Sequence, residues 1–164
     1  MRIERPWKTY FLASGLAVWS LGALGGGFGP VTAPDGSALR FDTSWLEATP
    51  FTDYRAPGLL LGALGAAGTV STVLVTRDLR AARAGRSTPG WHRLFTASVG
   101  LAHFGWIAGE IVLLWRTVRT LPPEVRSFFY AFWWVFGPLS TANLILAVTP
   151  SARGAAGSPG TSRF

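Results

Sequence analysis

Four side chains in the second half of this 164-residue chain could do chemistry together: His103, Trp106, Glu110 and Asn143. His103 and Glu110 are seven positions apart. On a helix that spacing puts them on one face with their Cα atoms about 10 Å apart along the axis, too far to touch. They could still hold two ends of one ligand, or connect through Asn143 or a water, with Trp106 between them as a stacking surface. Glu110 is the only acidic residue inside an otherwise apolar run, and a lone carboxylate in hydrocarbon costs several kcal/mol unless it is paired or protonated. Three readings of it stay open. Glu110 is a structural group bonded across to another helix or a partner subunit; or it joins His103 in a site for a polar ligand, pigment or quinone-like molecule; or it moves protons in transfer or acid/base catalysis.

One histidine and one carboxylate make a poor metal site, since a closed site takes about four ligands, so no metal is expected. A single intramembrane histidine can ligate haem or a chlorin magnesium, but no second histidine lies at a matching depth. The identity of any cofactor is therefore unreadable, and its candidate contacts are the same four residues. The chain has no cysteine, which removes disulfides and thiolate chemistry. It also has no phosphate-binding glycine loop in a strand-to-helix setting, no nucleophile elbow and no HExxH. No catalytic residue is assigned on this basis, and enzyme activity is the less favoured reading.

The elements that must position these residues are apolar and long. The chain is 49% hydrophobic and only 14% charged, with a mean hydropathy of +0.31. Its charges avoid residues 10–29, 56–76 and 127–148, and Glu110 alone interrupts 94–115. Each run approaches the ~20 residues a helix needs to cross ~30 Å of hydrocarbon. The expected fold is all-α: an antiparallel four-helix transmembrane bundle with an ordered outer loop between helices 1 and 2. Residues 1–149 form one four-span domain and 150–164 a Gly/Ser/Ala-rich flexible tail.

A formal charge of +7 raises the possibility of nucleic-acid binding. No basic stripe with interleaved aromatics supports it, and the basic residues read better as topology signals. With the N-terminus in the cytoplasm, ten Lys and Arg residues fall inside and five outside: Arg40, Arg55, Arg116, Arg119 and Arg126. Both termini are then cytoplasmic. The first span follows a basic segment as a signal peptide would, but its apolar run exceeds a 7–15 residue h-region, so it is expected to be retained.

Small residues mark the packing faces. Gly22/Gly26 on the first span, Gly58/Gly62/Ala66 on the second and Gly105/Gly109 on the third have the four-residue spacing that lets helices approach closely in lipid. In the outer loop, Pro34-Asp35-Gly36 is a turn signal and Ser44-Trp45-Leu46-Glu47 matches a capping box. Trp45, Phe51 and Tyr54 suit the headgroup level. The fourth span opens with Phe128, Phe129, Tyr130, Phe132, Trp133, Trp134 and Phe136. It then meets Pro138, which should kink it, and the polar group Ser140, Thr141 and Asn143.

At Gly25-Gly26-Gly27, Pro34-Asp35-Gly36, Pro50-Phe51-Thr52-Asp53-Tyr54 and Pro57-Gly58-Leu59 the chain resembles a group of small four-span bacterial membrane proteins. The resemblance covers residues 20–65 with a weaker echo at Trp106-Ile107. It implies four helices in a bacterial cytoplasmic (inner) membrane and no activity. In that group the polar residue after Trp106-Ile107 is more often Gln, so Glu110 is particular to this chain.

The expected role is an accessory or scaffold subunit of a larger membrane complex, of the respiratory or photosynthetic kind, with the bilayer and partner membrane subunits as its contacts. Eight Trp and eleven Phe are more than so small a bundle should bury alone. The alternative is a membrane enzyme or ligand-binding protein that handles a lipid-soluble molecule with His103 and Glu110, by analogy of residue type with membrane sterol isomerases.

Overall fold

The computed structural model describes residues 6–47 and 49–149; the tail expected at 150–164 lies outside them. Among the described residues the protein is all-helical. Four long helices, α1 (Pro6–Thr32), α2 (Arg55–Arg83), α3 (Gly90–Thr120) and α4 (Pro123–Val148), are joined by a loop holding two 3-10 turns, a short link and a two-residue step. Each helix is long and apolar enough to cross a membrane. The helices outrun the apolar runs because charged and polar ends continue them, as Arg77, Arg80 and Arg83 do for α2.

The helix ends follow local chemistry. The Asp53 carboxylate accepts the Arg55 N–H at 2.9 Å where α2 begins. Gly85, at φ 69°, ends α2 by letting the Arg86 N–H turn back to the Ala81 carbonyl at 2.9 Å. Pro123 starts α4 with Glu124 in its first turn, where a negative charge meets the positive end of the helix dipole. At the other end of α4, the Arg93 guanidinium donates to the Val148 carbonyl at 2.6 Å. His92 of α3 and Asp78 of α2 are joined at 2.7 Å, and Arg83 of α2 bonds the Tyr10 hydroxyl of α1.

Helix α1 packs chiefly on α2 and α3 on α4, and α1–α4 and α2–α3 contacts close the bundle. At the α1–α2 crossing the backbones touch. A Cβ on Gly27 would lie 2.7 Å from the Gly58 carbonyl oxygen and 2.9 Å from the Gly62 nitrogen, and one on Gly65 would lie 2.9 Å from the Leu24 nitrogen. The seam runs through Gly58, Gly62, Gly65 and Gly68 and not through Ala66 of the expected face, which is exposed. Four residues overshoot one helical turn by about 40°, so two such steps carry Ala66 about 80° from Gly58; seven residues fall only about 20° short of two turns. Gly22 and Gly26 do meet neighbours, Phe136 and Leu61, while Gly105 and Gly109 face no helix at all.

One other expectation changes. The first residue to cap the second 3-10 turn (Thr43–Leu46) is Asp42, whose carboxylate accepts the Ser44 N–H at 2.8 Å. Ser44 therefore lies inside the turn and not at its cap. Helix α4 runs through Pro138 without interruption.

Outward-facing apolar side chains cover the bundle. Leu21, Phe28, Val112 and Trp134 each keep 72–80% of their surface exposed. At about 25 cal/mol per Å² of apolar area in contact with water, such a surface is unfavourable in aqueous solution and costs nothing against hydrocarbon.

Candidate functional site

The four residues singled out by type separate into two places. His103 and Asn143 lie in a buried polar layer at the centre of the bundle, while Trp106 and Glu110 border a cavity beneath the outer loop.

In the polar layer the Trp19 indole N–H donates to Ser140 Oγ at 2.9 Å. The same indole stacks on the His103 ring at 3.6 Å between centroids and 10° between planes. His103 Nε2 in turn reaches the Leu64 carbonyl oxygen at 3.3 Å. A carbonyl only accepts, so Nε2 carries the proton and Nδ1 is left as a buried acceptor with no partner. Trp19 on α1, Leu64 on α2, His103 on α3 and Ser140 on α4 thus form a clasp through all four helices. Glycine makes room for it: Gly68 lies against Ser20 and His103, and Gly15 against the Asn143 amide. His103, Ser140 and Asn143 are fully enclosed, and the amide N and O of Asn143 have no hydrogen-bond partner. His103 therefore holds the helices together and does not border the cavity.

The cavity, about 310 Å³, is roofed by the outer loop and walled by all four helices. Local bonds shape the loop. Gly36, at φ 85°, receives the Leu39 and Phe41 N–H groups on its carbonyl, each at 3.0 Å. Tyr54 closes the other end, its N–H donating to the Pro34 carbonyl at 2.9 Å and its hydroxyl to the Asp42 carbonyl at 2.7 Å. Burial, and to a lesser degree the Asp42 charge, pushes the Tyr54 phenol up to about 12. The Ser37 hydroxyl and N–H hold Asp35 below the usual carboxylate range, and the Ser44 N–H does the same for Asp42.

Inside, Phe41, Trp45, Phe51, Tyr54, Trp106 and Phe129 supply an aromatic lining. Phe41 bridges Tyr54, Trp45 and Phe129, with centroids 5.4–6.1 Å apart, and so ties the roof to α4. Gly105 and Gly109, expected to pack on a helix, instead form part of the cavity wall. Their missing side chains leave the room that the cavity occupies. Among the described residues Glu110 is the one charged side chain in the lining. Its Oε1 accepts the Trp106 indole N–H at 2.8 Å. Its Oε2 is buried without a partner, as is Nε1 of Trp133 beside the same carboxyl.

Sequence reasoning missed Trp19 and Gly68 in the clasp and Phe41 and Phe129 in the cavity. Nothing marks Trp19 among eight tryptophans, because its partners His103, Ser140 and Phe136 come from two other helices. Among the described residues no three His, Asp or Glu side chains gather to hold a metal ion.

The arrangement defines a class: a four-helix protein of membrane-spanning character with a loop-covered, aromatic-lined cavity and one buried carboxyl. Compared with protein-family models, curated proteins and solved structures, the chain matches none.

Proposed function

We propose that this chain is an antiparallel four-span protein of the bacterial cytoplasmic membrane, with both termini in the cytoplasm, that holds a lipid-soluble molecule in the cavity beside Glu110. The observation that carries the binding role is the cavity itself: about 310 Å³, lined by six aromatic side chains, with a single carboxyl oxygen accepting no bond. Ligand sites combine an apolar lining with a few polar groups in this way. Antiparallel packing is supported by the contacts at both ends of the first pair, Tyr10 with Arg83 and Gly27 with Gly58. The arginines of the 77–93 segment support the cytoplasmic side.

The test uses Gly109, where a Cβ meets nothing within 4 Å. Gly109→Leu fills the cavity from a wall position that packs on no other helix. The wild-type protein, purified in nanodiscs, should carry or take up a lipid-soluble molecule recoverable by solvent extraction and mass spectrometry, and Gly109→Leu should lose it while staying folded. An equal content of bound molecule in both proteins overturns the binding role.

The second reading keeps the accessory-subunit role. It is favoured by the aromatic groove of Ile111, Trp115, Tyr130, Trp133 and Trp134 between α3 and α4, with Trp134 80% exposed. Much of the aromatic surface, however, is consumed within the chain, in the cluster of Phe129, Tyr130, Phe132, Trp133 and Phe136. That weakens the compositional case for a partner. A co-purifying membrane subunit that is lost on Trp134→Ala would support this reading; a protein that stays alone under gentle extraction would remove it.

A further inference from the structure

From the lining of this cavity, and resting on the binding role proposed above, we infer that its ligand is a small lipophilic cation, an organic amine or quaternary ammonium, seated between the aromatic rings and Glu110. Two observations converge on that class. The first is charge. Among the described residues Glu110 is the only charged group in the lining, and they supply it with no salt-bridge partner. An ionised carboxylate alone in such a place is costly, and a cation in the cavity is the partner that removes the cost.

The second is the shape of the donor set. Trp106 occupies Oε1, the Trp133 indole stands beside the same carboxyl, and Oε2 keeps acceptor capacity that no bond uses. Phe41, Trp45, Phe51, Tyr54, Trp106 and Phe129 line the same cavity as Glu110. Aromatic faces attract cations through the ring quadrupole, and several rings around a single charge are the arrangement that recognises quaternary ammonium groups. A neutral apolar ligand gains from the rings only by burial and adds no partner for Oε2. A small anion is repelled by Glu110.

The volume, at the small end of ligand cavities, sets the size: a head group with one ring or a short chain and not a bulky polycycle.

The experiment compares two probes of the same shape, phenyltrimethylammonium and its carbon isostere tert-butylbenzene, against the full chain in phosphatidylcholine nanodiscs with empty nanodiscs as the blank. Binding is read by tryptophan fluorescence. The expected result is saturable binding of the cation, weakened about ten- to hundredfold in Glu110→Gln by loss of a charged partner, with tert-butylbenzene bound alike by both proteins. Phe41→Leu, which keeps much of the volume and removes one ring, should weaken the cation by a fewfold and leave tert-butylbenzene unchanged. If tert-butylbenzene binds and the cation does not, or if the cation binds Glu110→Gln as tightly as wild type, the ligand class is wrong and the cavity reading survives. If neither probe binds the wild type above the level seen with Gly109→Leu, both fall.

Discussion

Gly27→Ala should separate α1 from α2, and the structure gives the size of the effect. The new Cβ would stand 2.7 Å from the Gly58 carbonyl oxygen, 2.9 Å from the Gly62 nitrogen and 3.2 Å from the Gly62 Cα, whereas ordinary contact begins near 3.4 Å. All three obstacles are backbone, so no rotamer change relieves them and the helices must part locally by about 0.7 Å, the difference between 3.4 and 2.7 Å. Overpacking of this kind costs about 1–3 kcal/mol. The cavity shares the damage, because Gly26 and Pro30 on one side and Pro57 and Leu61 on the other belong to its wall. Gly25→Ala is the matched control. It makes the same chemical change two residues away, where a Cβ meets nothing within 4 Å, and it gains up to about 1 kcal/mol of helix propensity that Gly27→Ala gains as well. The two variants should therefore differ by about 1–3 kcal/mol, the propensity gain cancelling between them. Reversible unfolding in mixed micelles, followed by far-UV circular dichroism, reads this difference. Equal midpoints for Gly25→Ala and Gly27→Ala would refute backbone contact at this crossing, and the seam through Gly58, Gly62, Gly65 and Gly68 would go with it.

Trp19→Phe keeps an aromatic ring for the His103 stack, removes the N–H bonded to Ser140 and leaves a gap where the larger indole was buried; it should cost about 2–3 kcal/mol, and the same unfolding assay reads it. The Tyr54 phenol, pushed up to about 12 from the ordinary 10, stays neutral in the folded loop while an exposed tyrosine ionises. The raised value adds stability that is complete below pH 10 and is lost as pH climbs toward 12, so absorbance at 295 nm should show a late ionisation that Tyr54→Phe removes. That variant should also loosen the roof by about 1 kcal/mol through loss of the bond to the Asp42 carbonyl, visible as faster amide exchange across residues 41–47.

Composition and charge segregation were enough to reveal four apolar helices, since a run of about 20 uncharged residues has few structural outcomes. The turn at Pro34-Asp35-Gly36 was equally legible, because proline and glycine act on their own backbone and need no distant partner. Glu110 also stood out from the sequence, as a charge is expensive in hydrocarbon whatever surrounds it. Which groups met it was another matter. Trp106 lies one helical turn away and was placed beside it by spacing alone, but Trp133, Phe129 and the rings of the roof arrive from other elements.

Spacing along α3 put His103 and Glu110 on one face, and that reasoning could not see that the face is shared by two environments. Near His103 the space is filled by Trp19 stacked at 3.6 Å; a turn or two further on, Gly105 and Gly109 leave it open. The glycine seam shows the same limit. Local spacing told which residues were small, while the angle at which two helices cross decided which small residues touched. Helix length and apolarity are properties of one segment and can be read along the chain. A cavity, a clasp through four helices and a contact between backbones are relations among segments far apart in sequence, and only the packed tertiary structure brings them into being.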